Sequence, residues 1–131
     1  MVSVVQLVLA FDVTIRDTSY YSYLSDPRLV LRNIEGWRTA QVYVRSTLDQ
    51  PVQVQISGLA YGVDPTGRAS ITLPYPLADV FYVDAGSSAD QVEVRAISEE
   101  YMPTNLYIRV YCPTAPTSGR LDAWVEVEDA R

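Results

Sequence analysis

Residues 41–58, QVYVRSTLDQPVQVQISG, are the stretch from which the fold is read. Val42 and Val44 alternate with Tyr43 and Arg45. Beyond Thr47–Pro51, Val52, Val54 and Ile56 alternate with Gln53, Gln55 and Ser57. Successive side chains of a strand point to opposite faces, so a period of two with one apolar face describes a half-buried strand. Two such runs around a Thr-Leu-Asp-Gln-Pro turn predict an antiparallel hairpin with its valines inward.

The same period recurs on either side. From Val5 to Ile15 the odd positions are Val5, Leu7, Leu9, Phe11, Val13 and Ile15, while Val4, Val8 and Ala10 make the second face partly apolar. That combination predicts a long first strand covered on both sides. Further strands are expected at Arg28–Ile34, Arg68–Leu73, Asp79–Asp84 and Gln91–Ile97, the last with Val92, Val94 and Ala96 inward. Asn105–Cys112 sets Leu106, Ile108, Val110 and Cys112 against Tyr107, Arg109 and Tyr111. The closing strand sets Leu121, Ala123, Val125 and Val127 against Arg120, Asp122, Trp124, Glu126 and Glu128. Loops are expected at the Tyr- and Ser-rich Asp17–Asp26, at Leu59–Gly67 with its Asp-Pro-Thr-Gly, at Ser98–Thr104 and at Pro113–Gly119. Pro74-Tyr75-Pro76 is expected to break regular structure. Eight or nine strands at roughly 8–12-residue spacing, with no 3.6-residue apolar period, predict a single all-β antiparallel β-sandwich over residues 1–131. The Cys–Trp–Cys pattern of an immunoglobulin domain is absent, which favours a jelly roll over an immunoglobulin-like sandwich.

Composition narrows the chemistry. The 131 residues include no histidine, one cysteine and a net charge of −6; all ten basic residues are arginine. A Ser-His-Asp or Cys-His site is therefore excluded, and no Gly-rich phosphate loop is present. Cys112, in phase with Ile108 and Val110, reads as a buried structural thiol. Glu99-Glu100 reads as a solvated loop pair, since neighbouring residues rarely face one another across a substrate. Asp64, Asp84 and Asp90 have the oxygens for calcium but no EF-hand-like spacing. No catalytic residue, metal ligand or cofactor is expected. The negative charge disfavours nucleic acid, and no apolar run is long enough to span a bilayer. The N-terminal MVSVVQLVLAFDV has neither a basic start nor a cleavage site, so it reads as a strand and not as a signal peptide.

The aromatic residues carry more. Ten tyrosines and two tryptophans are many for one core. Tyr43, Tyr107, Tyr111 and Trp124 fall on outward phases beside Arg45 and Arg109, while Tyr20, Tyr21, Tyr23 and Trp37 fall in loops. Exposed aromatics with arginine are the composition of protein interfaces. These ten residues form the candidate interface of an oligomer. In the alternative reading, a carbohydrate-binding module, Trp124, Tyr107 and Tyr111 would be a stacking platform for sugars. Some of this pattern also arises wherever loops of the same chain cover a sheet.

Two segments, VRSTLDQPVQV at 44–54 and TAPTSGRL at 114–121, resemble motifs of small β-sandwich virion proteins of tailed bacteriophages and related prokaryotic viruses. The resemblance implies a decoration, capsid- or tail-associated structural subunit that forms a homo-oligomer and binds a capsid or other particle protein. It implies assembly in the host cytoplasm and a place on the virion surface. It implies no catalytic residues. The Tyr-rich loop at 19–23 and the Pro74–Pro76 run lie outside it.

Overall fold

The structure is a computed structural model that describes residues 3–32, 39–63, 66, 70–86, 91–98 and 105–129. Among the described residues ten strands are formed: β1 (Ser3–Val13), β2 (Tyr20–Tyr21), β3 (Val30–Arg32), β4 (Thr39–Ser46), β5 (Val52–Val63), β6 (Ser70–Pro76), β7 (Phe81–Val83), β8 (Gln91–Ser98), β9 (Asn105–Tyr111) and β10 (Leu121–Asp129). They make two antiparallel sheets, one ordered β1-β10-β4-β8 and the other β2-β9-β5-β6, with β3 also on β9 and β7 also on β5. Because β2 and β3 share one place against β9, and β6 and β7 one place against β5, ten strands fill eight positions. That connectivity is a jelly roll, in which two four-position sheets face each other.

The expected hairpin at 41–58 does not form. β4 pairs with β10 and β8, whereas β5 pairs with β9, β6 and β7, so residues 47–51 carry the chain from one sheet to the other. Alternation gives the faces of the two strands but not their partners. Val42, Val44, Val52, Val54 and Ile56 are all buried between the sheets. Leu48 explains why the connection is an arch: it is fully buried in mid-turn, where a hairpin would leave it in water. Face-to-face sheets stand about 10 Å apart, and an apolar residue in the crossing closes the end of that gap. The buried Ser46 hydroxyl accepts the Leu48 N–H at 3.1 Å and fixes the bend.

Other departures have local causes. β1 stops at Val13, after register shifts between Val8, Ala10 and Val13, and Asp12 adopts a φ of 60°. The expectation that this strand is covered on both faces concerns mostly side chains outside the described set. β5 runs past Gly58 to Val63, and β6 runs through Pro74 and Pro76, pairing them with Leu59 and Ser57. Two prolines in the same phase of an edge strand both turn their missing donor away from the ladder. β8 is turned over relative to expectation. Val94 is exposed opposite Tyr43, while Arg95 lies over the Phe81 ring at 4.1 Å, with its Glu93 ion pair at 3.0 Å. An inward-leaning arginine at a sheet edge covers apolar surface with its stem and discourages edge-to-edge pairing. Trp37, Asp64, Asp90, Glu99 and Glu100 lie outside the described residues.

Candidate functional site: two opposite aromatic faces

The structure divides the candidate residues between the outer faces of the two sheets. On the four-stranded sheet, Trp124 of β10 is the register partner of Tyr43 of β4, and Tyr43 is the partner of Val94 of β8. The Trp124 and Tyr43 rings are parallel to within 2°, with centroids 5.3 Å apart. Such a stack contributes roughly 0.5–1.5 kcal/mol beyond the area it buries. The Arg45 guanidinium stands 5.7 Å from the Trp124 ring and binds one oxygen of Asp122 through Nε (3.1 Å) and an Nη (2.7 Å). The other oxygen of Asp122 accepts the Asp12 N–H at 2.9 Å, at the irregular end of β1. Asp122 is 3% exposed, so its two oxygens fix both the arginine and the bulged backbone. The Tyr43 hydroxyl donates to Gln41 Oε1 at 2.8 Å, and the nearby Glu126 carboxylate pushes the phenol's pKa up.

On the six-stranded sheet, β2 lays Tyr20 against Tyr111, ring centroids 4.6 Å apart, and the Arg109 guanidinium covers Tyr20 at 4.4 Å. Arg109 Nε donates to Gln55 Oε1 at 3.0 Å across the β5–β9 pair, and Gln53 Nε2 donates to the Tyr82 hydroxyl at 3.1 Å. Tyr107 is on the outward phase but is itself buried. β3 runs beside it and the Tyr23 ring packs against it at 4.9 Å. Covering by the chain's own loop, foreseen for part of the set, is what happens here. Tyr21 belongs to neither face: its ring packs on the core and its hydroxyl donates to Asp17. Burial first, then that carboxylate, raises its pKa.

The sugar platform of Trp124, Tyr107 and Tyr111 is therefore not a platform, because Trp124 is on the opposite sheet from the other two. Residues that the sequence reading left out of the site are Val94, Asp122, Gln53, Gln55 and Tyr82. The two glutamines were visible as the polar phase of β5, and Asp122 as a polar phase of β10. Val94 was hidden by the inverted phase of β8.

Acids with perturbed pKa values sit in turns. Asp49 is held below the usual range by the Thr117 hydroxyl and N–H, Asp26 by Arg28, and Asp17 chiefly by the Ser19 N–H. Among the described residues no three His, Cys, Asp or Glu side chains come together as metal ligands, and no helix is long and apolar enough to cross a membrane.

No family model matches the chain, and no curated protein does. Solved structures with a similar course of chain include viral coat proteins and carbohydrate-binding modules. The structure of infectious bursal disease virus, Gx strain, is 14% identical with a TM-score of 0.46, over 98% of this chain and 33% of that one, so this chain spans about a third of that protein. Tobacco streak virus coat protein is 7% identical with a TM-score of 0.45, over 96% of this chain and 85% of that one. The CBM22-1 xylan-binding domain of Xyn10C from Paenibacillus barcinonensis is 12% identical with a TM-score of 0.43, over 99% of this chain and 83% of that one. At these identities the likeness is one of β-sandwich fold alone.

Proposed function

We propose that this chain is a non-enzymatic structural subunit that packs against other protein subunits, copies of itself among them, through the outer face of its four-stranded sheet. The carrying observation is the cross-strand row of Trp124, Tyr43 and Val94, with Arg45 fixed beside it by Asp122. Its tryptophan, tyrosine and arginine are the residue types that dominate binding energy at interfaces. They are already stacked and ion-paired, so little rotamer freedom remains to be lost on docking. The most concrete form of the reading is a decoration or capsid-associated subunit on a virion surface, assembled in the host cytoplasm. It is supported by the resemblance of residues 44–54 and 114–121, whose turns pack together in the fold. Light scattering at micromolar concentration tests the assembly. The expected result is a salt-resistant oligomer that Trp124→Ala shifts towards monomer, with an unchanged circular dichroism spectrum. A wild-type protein that stays monomeric, and is missing as a repeating feature from electron micrographs of its native particles, would overturn the reading.

A further inference from the structure

Two features of the sequence play no part in that function: the Tyr- and Ser-rich stretch at 17–26 and the Pro74-Tyr75-Pro76 run. The fold brings them together as the two walls of one groove, about 540 Å³ in volume, on the outer face of the six-stranded sheet. Small-molecule sites typically measure ~300–1,000 Å³. The floor consists of two cross-strand pairs, Gln55 with Arg109 and Ser57 with Tyr107. One wall is the turn at Ser22–Leu24, closed by the N–H groups of Ser25 and Asp26 on the Ser22 carbonyl, with Tyr23 leaning on Tyr107. Tyr75, Pro76, Ala78 and Val80 form the other, anchored by the Leu77 N–H on the Ile56 carbonyl at 2.9 Å. Leu24 is 83% exposed and Val80 47%, so the rims stand open.

We propose that this groove is a saccharide-binding site, taking a short stretch of a neutral polysaccharide. A pyranose ring has a flat C–H face and a rim of hydroxyls. It therefore needs aromatic or apolar walls together with planar polar groups. The walls supply Tyr23 and Tyr75. On the floor, Gln55 lines the groove, gives its oxygen to Arg109 and keeps both amide hydrogens unclaimed among the described residues, as donors for hydroxyls. An anionic ligand fits less well: among the described residues Arg109 is the one cation lining the groove, and it already lies over Tyr20 and binds Gln55. An extended peptide would look for an open strand edge, but the floor strands β5 and β9 are paired to each other through residues 53–58. A wholly apolar ligand would strand the Gln55 amide without water or partner.

The test is affinity electrophoresis of the full chain in native gels containing xylan, mixed-linkage β-glucan or galactomannan. It is paired with observation of the Gln55 side-chain amide signals by NMR. The expected result is retardation by at least one of the three, with movement of the Gln55 signals. Gln55→Ala and Tyr23→Ala, both surface changes checked by circular dichroism, should each weaken binding roughly tenfold or more. Trp124→Ala should leave binding intact, and the groove variants should leave the oligomeric state intact, so this site and the assembly face fail or stand separately. Mobility unchanged in all three gels overturns the proposal. So does retardation that survives both groove changes or disappears with Trp124→Ala. Movement of the Gln55 signals by a proline-rich peptide, with none by the polysaccharides, overturns it in favour of a peptide groove.

Discussion

Gly119 lies so close to the Thr47 carbonyl that a β-carbon on it would stand 2.0 Å from the oxygen. Its φ of +90° is also one that only glycine adopts without strain. The contact joins the arch at 47–51 to the turn at 113–120, and hydrogen bonds between the two reinforce it. The Thr47 N–H donates to the Arg120 carbonyl at 2.9 Å, the Arg120 N–H to Thr47 Oγ1 at 3.0 Å, and the Thr117 N–H to Asp49 at 2.9 Å. The two segments that carry the virion-protein resemblance are thus one unit at one end of the sandwich. Gly119→Ala must both enter a forbidden backbone region and push the arch away. We expect a loss of roughly 3 kcal/mol, read as a lower midpoint in urea denaturation. An unchanged midpoint would mean that the arch and the turn are not held together as described.

Asp49 makes the same junction sensitive to acid. The Thr117 hydroxyl and N–H favour its ionised form, so its folded pKa lies below the unfolded value of about 3.8. A depressed carboxylate stabilises the fold above its unfolded pKa, and that contribution is lost as pH falls through the folded one. Asp17 and Asp26 are lowered as well and titrate in the same window. Asp49→Asn isolates its share: the variant should lose less stability than wild type between pH 5 and pH 2, in thermal melts at matched ionic strength. Parallel curves would remove Asp49 from the acid response.

Much of this was legible from alternation. Val42, Val44, Val52, Val54 and Ile56 were read as inward and are buried, as are Leu106, Ile108, Val110 and Cys112. Alternation assigns a face but not a neighbour, so it could not tell a hairpin from an arch at Thr47–Pro51. The clue was Leu48, an apolar residue where a hairpin turn has no core to bury it in. Alternation also failed on β8, because at a sheet edge the aliphatic stem of Arg95 covers the core as well as a valine would. For the candidate site, the outward phase identified Tyr43, Trp124, Tyr111 and Arg109. Sequence spacing could not divide them between opposite faces, since that division follows from strand order. The groove was the least visible feature, its walls, at Ser22–Leu24 and Tyr75–Val80, lying far apart in the chain.

Asp122 is the polar tie of the four-stranded sheet, and its removal separates packing from charge. Asp122→Ala would leave the Asp12 N–H without its acceptor and release Arg45 from its carboxylate. A cost of roughly 2 kcal/mol follows from orphaning that N–H and losing a charge-assisted bond between a nearly buried carboxylate and a partly exposed guanidinium. Asp12→Gly is the informative companion. It keeps the N–H, removes a non-glycine residue from a φ of 60°, and loses only the exposed ion pair to Arg120 at 3.1 Å. Relief of strain there is worth up to ~1 kcal/mol, against little for the surface pair. Urea midpoints should therefore fall for Asp122→Ala and stay level or rise for Asp12→Gly. A fall in both would mean that the Asp12 side chain, through Arg120, holds the end of β1 as the Asp122 bond does.

Cys112 gives the corresponding prediction on the alkaline side. Burial above all, and then the charges of Asp17 and Asp49, push its thiol from about 9 up to about 11. A raised pKa means that the folded state holds its proton more tightly than the unfolded chain. The stabilisation is complete below the unfolded pKa and is lost as pH rises through the folded one, here from about pH 9 to pH 11. Cys112→Ala carries no such group. It should start out less stable than wild type, by the ~1–2 kcal/mol of a lost buried sulfur, and the gap should narrow over that interval. In the native protein the thiol should also resist alkylation at pH 8, because its thiolate fraction is only about one in a thousand and the sulfur is shielded from solvent. Rapid alkylation without denaturant, or a gap that stays constant to pH 11, would show that Cys112 is reachable in the fold and that the end of β9 opens under native conditions.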